Sequence, residues 1–249
     1  MEQTALSIQD LNIVYMPYTG MRVRNLLSGN GKKVKPIHAV KDLTLSVDRG
    51  EIVGIIGRNG SGKTTLLRAI AGIFAPDSGT IELYGNRVSL MSLGIGFDPE
   101  LTGRENIVLS GIMMGFRHSM ISELMTEIIA FSEIGEFIDY PVRTYSRGMY
   151  SRLAFSITAF LETDIMLIDE ALSVGDAQFR EKSEKKMKEL IMDRKHTALI
   201  VSHDEGMLRS ICGRAVWIDK GRVMLSGDVD PVISAYREHK DGEEHGKGI

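Results

Sequence analysis

EIVGIIGRNGSGKTTLLRAI, residues 51–70, divides into three physically distinct parts. Residues 51–57 are almost wholly apolar, as expected of a strand covered on both faces. Leu66, Leu67, Ile70 and Ile73 have helical spacing, so the stretch 63–73 is expected to be a helix. Between them, Gly57–Thr64 matches G-x-x-x-x-G-K-[ST] in the strand–loop–helix setting the motif requires. Its glycines let backbone N–H groups converge on phosphate oxygens at the positive end of a helix. Lys63 adds a point charge for the β- and γ-phosphates, and Thr64 offers a hydroxyl to Mg²⁺. A glycine-rich turn that merely contains Lys-Thr is the alternative, and the flanking strand and helix tell against it. Gly57, Asn59, Gly60, Ser61, Gly62, Lys63, Thr64 and Thr65 are the candidate nucleotide-binding set.

Further along, IMLIDE (165–170) is an apolar strand that carries Asp169 to a sheet edge, within reach of a Mg²⁺ ion, and Glu170 beside it, suited to polarising a water. TALIVSH (197–203) is another buried strand and ends at His203, which could sense the γ-phosphate or serve only as a structural hydrogen-bonder. Strands alternating with helices indicate an α/β domain with a largely parallel sheet. Before the loop, 6–15 (LSIQDLNIVY) reads as an edge or half-buried strand, and 39–47 (AVKDLTLSV) as a second, ending in a turn at Asp48-Arg49-Gly50. Asp77-Ser78-Gly79 reads as a turn before the short strand TIELYG. Residues 103–136 are expected to be helical with a break near Gly115–Arg117, and 146–161 and 176–195 to be further helices. RAVWIDKGRVMLSGD (214–228) reads as a hairpin turning at Lys220-Gly221. The expected organisation is one domain over 1–240, an inserted helical subdomain over about 103–161, and a flexible tail over 241–249.

Residues 17–36 hold Arg22, Arg24, Lys32, Lys33 and Lys35 and no acid. A short amphipathic helix around 21–27 fits there. A plain solvated loop and a surface facing anionic headgroups both remain open for this basic insertion.

Composition narrows the classes. With 249 residues, 43% hydrophobic and 25% charged, and a mean hydropathy of -0.04, the chain is no disordered polymer. A net charge of -3 argues against a nucleic-acid partner. The single cysteine, Cys212, excludes a disulfide framework. No run approaches the roughly 18 apolar residues of a membrane span, and the N-terminus lacks the pattern of a signal peptide. A cytoplasmic protein is expected, with any membrane role carried by a partner.

The motifs, in this order, resemble the ATP-binding-cassette (ABC) ATPases over about residues 6–237. Gly57–Thr64 resemble the Walker A loop, Ile165–Asp169 the Walker B strand, Glu170 the catalytic carboxylate, Ser173–Asp176 the D-loop and His203 the switch histidine. The signature, usually Leu-Ser-Gly-Gly-Gln, would fall at Tyr145-Ser146-Arg147-Gly148-Met149, keeping Ser146 and Gly148. The resemblance implies a P-loop ATPase with a RecA-like core, an N-terminal antiparallel β part and an inserted helical subdomain. It also implies ATP and Mg²⁺ as cofactors, Glu170, His203 and Lys63 as catalytic groups, and a homodimer sandwiching two ATP molecules. In that dimer Ser146 and Gly148 would meet the γ-phosphate bound by the other subunit.

Two departures stand out. The usual glutamine near Phe97 is replaced by Asp98-Pro99-Glu100, which makes Asp98 a candidate for Mg²⁺ through water. The aromatic expected to stack on adenine is Tyr15, with Tyr18 as the alternative. GIGFDPELTGRENI (94–107), DEALSVGD (169–176), YSRGM (145–149) and the insertion after Tyr15 resemble the ATPase subunits of polysaccharide exporters. That resemblance implies a separate integral membrane transport subunit, a lipid-linked polysaccharide such as O-antigen as cargo, no nucleic acid, and a peripheral position on the cytoplasmic face of the inner membrane. Ending at Ile249, the chain is expected to match the members without an extra C-terminal carbohydrate-binding domain. An importer or drug exporter, a non-transport cassette and a nucleotide kinase are the alternatives; the kinase would leave Ser146, Gly148 and His203 idle.

Overall fold

The computed structural model describes residues 4–16, 35–91, 96–169, 177–192 and 196–245. Most of the basic insertion, Tyr18, Glu170 and Ser173–Asp176 therefore lie outside the described residues.

Strand β1 (Thr4–Tyr15) pairs antiparallel with β2 (Ile37–Asp48) on one side and β4 (Ser78–Glu82) on the other, in the order β2-β1-β4. The first strand is thus central to its sheet, not an edge. Its alternation, with Leu6, Ile8, Leu11 and Ile13 buried, reports one covered face and says nothing about how many neighbours share its backbone. The expected turn at Asp77-Ser78-Gly79 is instead the start of β4. Gly79 is needed there because a Cβ would lie 2.4 Å from the Asp10 carbonyl of the neighbouring strand.

The second sheet runs β5 (Val88–Leu90), β6 (Ile165–Ile168), β7 (Thr197–Val201), β3 (Ile52–Ile56), β8 (Arg214–Asp219) and β9 (Arg222–Asp228) in space. All neighbours are parallel except the β8–β9 hairpin. At its turn Lys220 (φ 45°) and Gly221 (φ 82°) are both left-handed, which matches the twist of the strands they join. β6 and β7 are buried throughout, as their unbroken apolar runs required.

Helices α1 (Lys63–Ile70), α5 (Ala177–Met192), α6 (Glu205–Ile211) and α7 (Val229–His245) belong to this core. The inserted unit comprises α2 (Gly103–Met113), α3 (His118–Ser132) and α4 (Arg147–Phe160), with 3-10 turns at Gly135–Asp139 and Val142–Thr144. Its helical run breaks where expected, at Gly115 (φ 84°). It has an apolar core of its own, built on Ile107, Ile121, Ile128, Ile138 and Leu153. Contrary to the expected tail from Asp241, α7 stays helical through His245. Buried Val232 and Ile233 anchor it, while Asp241 and Gly242 are exposed. Among the described residues, no helix is long and apolar enough to cross a membrane.

Candidate nucleotide site

The loop leaves β3 through Gly57 and enters α1 through Gly62, and at neither glycine is there room for a side chain. A Cβ on Gly57 (φ 152°) would lie 2.1 Å from the Ile218 carbonyl, and one on Gly62 (φ 108°) 2.2 Å from that of Ala39. The motif's glycines are therefore packed against β8 and β2 as well as shaped for a ligand. Ser61 N–H donates to Arg58 O at 3.1 Å, closing the loop on itself. Lys63, only 7% exposed, donates from Nζ to the carbonyls of Gly57 (2.7 Å) and Arg58 (3.0 Å). That leaves the ammonium lying across the loop at the start of α1.

A cleft of about 480 Å³ opens over this loop; Tyr15, Asn59, Lys63, Thr64, Thr65 and Asp169 line it. Tyr15 donates to Thr65 Oγ1 at 3.3 Å and meets Phe74 edge-on at 5.8 Å, so its ring is held at the mouth. Asp169, at the end of β6, shares the cleft with Thr64. A hydroxyl and a carboxylate make a hard-oxygen pair suited to a small divalent cation. His203, just beyond β7, places Nε2 3.1 Å from Asn59 Oδ1. The two strands on either side of the crossover thus bring an acid and an imidazole to the same end of the sheet, where α/β folds hold their ligands.

Three sequence-derived candidates lie apart from these walls. The Asp98 carboxylate accepts from Glu100 N–H at 2.9 Å, capping its own turn. Ser146 is the N-cap of α4, its Oγ accepting from Met149 N–H at 3.2 Å. Gly148 sits in the first turn, where a Cβ would find nothing nearer than Ser146 Oγ at 3.8 Å. Ser61 is not among the residues that line the cleft. Its hydroxyl, buried and without a hydrogen-bond partner, is directed at Gly57.

Other residues hold the site together without any motif to announce them. Gly221 donates its N–H to Ser61 O at 2.9 Å and accepts Lys41 N–H on its carbonyl at 2.9 Å, joining the loop to the antiparallel sheet. Asn106, fully buried, accepts Asp98 N–H at 2.7 Å and donates to the carbonyls of Asp98, Leu101 and Thr102. The segment it grips is also paired with the chain leading into α4. Val142 N–H donates to Leu101 O and Arg143 N–H to Pro99 O, both at 2.9 Å, while Arg143 reaches Glu100 at 3.2 Å. The one available signal for Asn106 was an amide on the apolar face of α2.

Comparison with known proteins gives the same picture. The ABC transporter family model matches residues 40–173. The O-antigen export system ATP-binding protein of Myxococcus xanthus is 48% identical over 202 residues, which are 81% of this chain and 46% of that protein. The protein of the same description from Klebsiella pneumoniae is 43% identical over 80% of this chain and 81% of its own length. The teichoic acids export ATP-binding protein of Lactococcus lactis is 42% identical over 87% of this chain and 46% of its own. The chain thus spans about half the length of two of these relatives. Among solved structures, the ATP-binding subunit of an ABC transporter superposes with a TM-score of 0.71 at 22% identity, covering 94% of this chain and 93% of that one. A dimeric cassette in a post-hydrolysis state with ADP and phosphate gives 0.68 at 21%, covering 90% and 98%. By its motifs, its fold and these relatives, the chain belongs to the ABC transporter family, as one of its ATPase cassettes.

Proposed function

We propose that the chain is the ATP-hydrolysing subunit of an exporter of lipid-linked polysaccharide, working as a homodimer on the cytoplasmic face of the membrane against a separate membrane-spanning subunit. The observation that carries the enzymatic part is the single cleft lined by Asn59, Lys63, Thr64 and Asp169, with His203 on Asn59. The names of relatives 42–48% identical support the cargo.

In this reading the loop amides and Lys63 hold the β- and γ-phosphates; the ammonium exchanges carbonyl partners for phosphate oxygens. Thr64 and Asp169 would hold Mg²⁺, which neutralises phosphate charge and orients the triphosphate. Glu170 accepts a proton from the attacking water, and His203 orients that water at the γ-phosphate. Ser146 and Gly148 at the start of α4 supply a hydroxyl and helix-terminal N–H groups to the nucleotide of the opposite subunit. Closure follows because those contacts exist only in the closed dimer. Asp98, capping its own turn with one carboxylate oxygen, keeps the other for Mg²⁺ through water.

The test is Glu170→Gln in the native cell, with surface polysaccharide and cytoplasmic lipid-linked polymer assayed side by side. Loss at the surface with accumulation inside is expected. Unchanged surface polymer together with wild-type ATP turnover would sink the reading.

A further inference from the structure

Helix α6 starts two residues after His203, and α7 clamps it at both ends. In its first turn Glu205 accepts an ion pair from Arg237 of α7; in its last, Arg209 pairs with Asp230 of the same helix. α7 is itself fixed on β8, where the Trp217 ring meets Tyr236 at 5.9 Å and His239 at 5.0 Å over buried Val232 and Ile233. Between His203 and Glu205, Asp204 caps the helix, its Oδ1 accepting Met207 N–H at 2.9 Å and its own N–H donating to Ser202 Oγ at 3.0 Å. His203 thus stands one residue before the cap of a helix whose first turn is tied to α7.

Burial pushes the Tyr236 phenol above its ordinary range, and the charges it feels are those of Arg58, Glu205 and Asp219. Arg58 precedes Asn59, whose amide oxygen meets His203. Arg237, the residue after Tyr236 in α7, holds Glu205 beside the histidine segment.

We propose that α7 is a strap that sets the position of His203 over the phosphate loop, with Arg237 and Asp230 as positioning residues for ATP turnover. This rests on the role assigned to His203 above. Ion pairs as exposed as these contribute little to stability. A displacement of about 1 Å in a group acting on the reacting water is far more costly to the rate. The strap is thus expected to register in kcat and hardly at all in folding.

The experiment compares Mg-ATP turnover by the full chain for Arg237→Gln and Asp230→Asn, each alone and combined with His203→Ala. The single variants are expected to lose roughly 5- to 20-fold in kcat with KM within about twofold, as a misplaced transition-state contact should. Their melting temperatures should stay within about 2 °C of the parent, as for loss of a surface pair. Combined with His203→Ala, neither should lower kcat further, and Arg237→Lys should recover part of the loss. The His203 ring resonances, followed by NMR through a pH titration, should move in Arg237→Gln, a readout that needs no turnover. Equal losses with and without His203, or an unmoved His203 ring, overturn the strap. Wild-type turnover in His203→Ala overturns the histidine assignment itself, a different failure.

Discussion

Ser61 shows how far a motif can be read one residue at a time. The spacing assigned it to the phosphate cradle, and its backbone belongs there, but its hydroxyl is buried with no partner. Spacing carries no information on where a short side chain points once β8 closes behind the loop. Ser61→Ala is expected to leave nucleotide affinity intact and to keep or raise stability by up to about 1 kcal/mol, since a buried hydroxyl without a partner is removed; urea unfolding measures it. Gly57→Ala is the opposite case. Its Cβ would need the space of the Ile218 carbonyl, so the loop must move, with loss of about 2 kcal/mol or more of stability and of ATP binding, checked by calorimetry. Cys212 makes a third prediction. Burial pushes its thiol up to about 12, so a disulfide reagent should label it only at the rate of unfolding.

Among the elements, α2 and the segment before it carry the clearest energetic statement. Thr102 and Glu105 form a reciprocal cap, visible in the sequence as T-x-x-E ahead of an apolar run. Asn106 is the less legible partner, because a buried amide has no periodicity and its worth depends on Asp98–Thr102 folding back over it. Asn106→Ala would leave several part-buried backbone groups unmatched and is expected to cost about 1–2 kcal/mol in denaturant unfolding. The same limit explains β1, where alternation disclosed a covered face but not its central place. It explains α7 as well: the polar composition after Asp241 suggested a tail, whereas anchorage on Trp217 carries the helix onward.

For the molecule as a whole, the strand and helix order around Gly57–Thr64 was enough to foresee a largely parallel sheet with an inserted helical unit. How that unit is fastened could not be foreseen, since the fastenings join residues far apart in the chain. One is Arg87, whose guanidinium lies over Phe116 at 4.4 Å while its N–H and Nε donate to Asp164. Burial raises the Asp164 pKa, but those Arg87 bonds outweigh it and hold it below its ordinary value. The carboxylate therefore stabilises the fold above the unfolded pKa of about 4, and that contribution fades as pH falls through the lower folded value. Asp164→Asn should cost no more than about 1 kcal/mol at neutral pH, given the pair's exposure, and should flatten the acid limb of a stability–pH curve.

Another fastening is aromatic. Phe131 of α3 and Phe155 of α4 both pack edge-on against Phe179 of α5, and Lys182 of α5 lies over the Phe131 ring at 4.3 Å while bonding Glu133 at 2.6 Å. The unit has an apolar core of its own, but α4 also belongs to the sheet's core through Phe155 and Ala159, so α2 and α3 have the makings of a separate cooperative block. Its amides should exchange with solvent together, at a free energy of opening below that of the parallel sheet. Proteolysis under mild denaturant should then cut first within 103–132, leaving protected a core that still contains the phosphate loop.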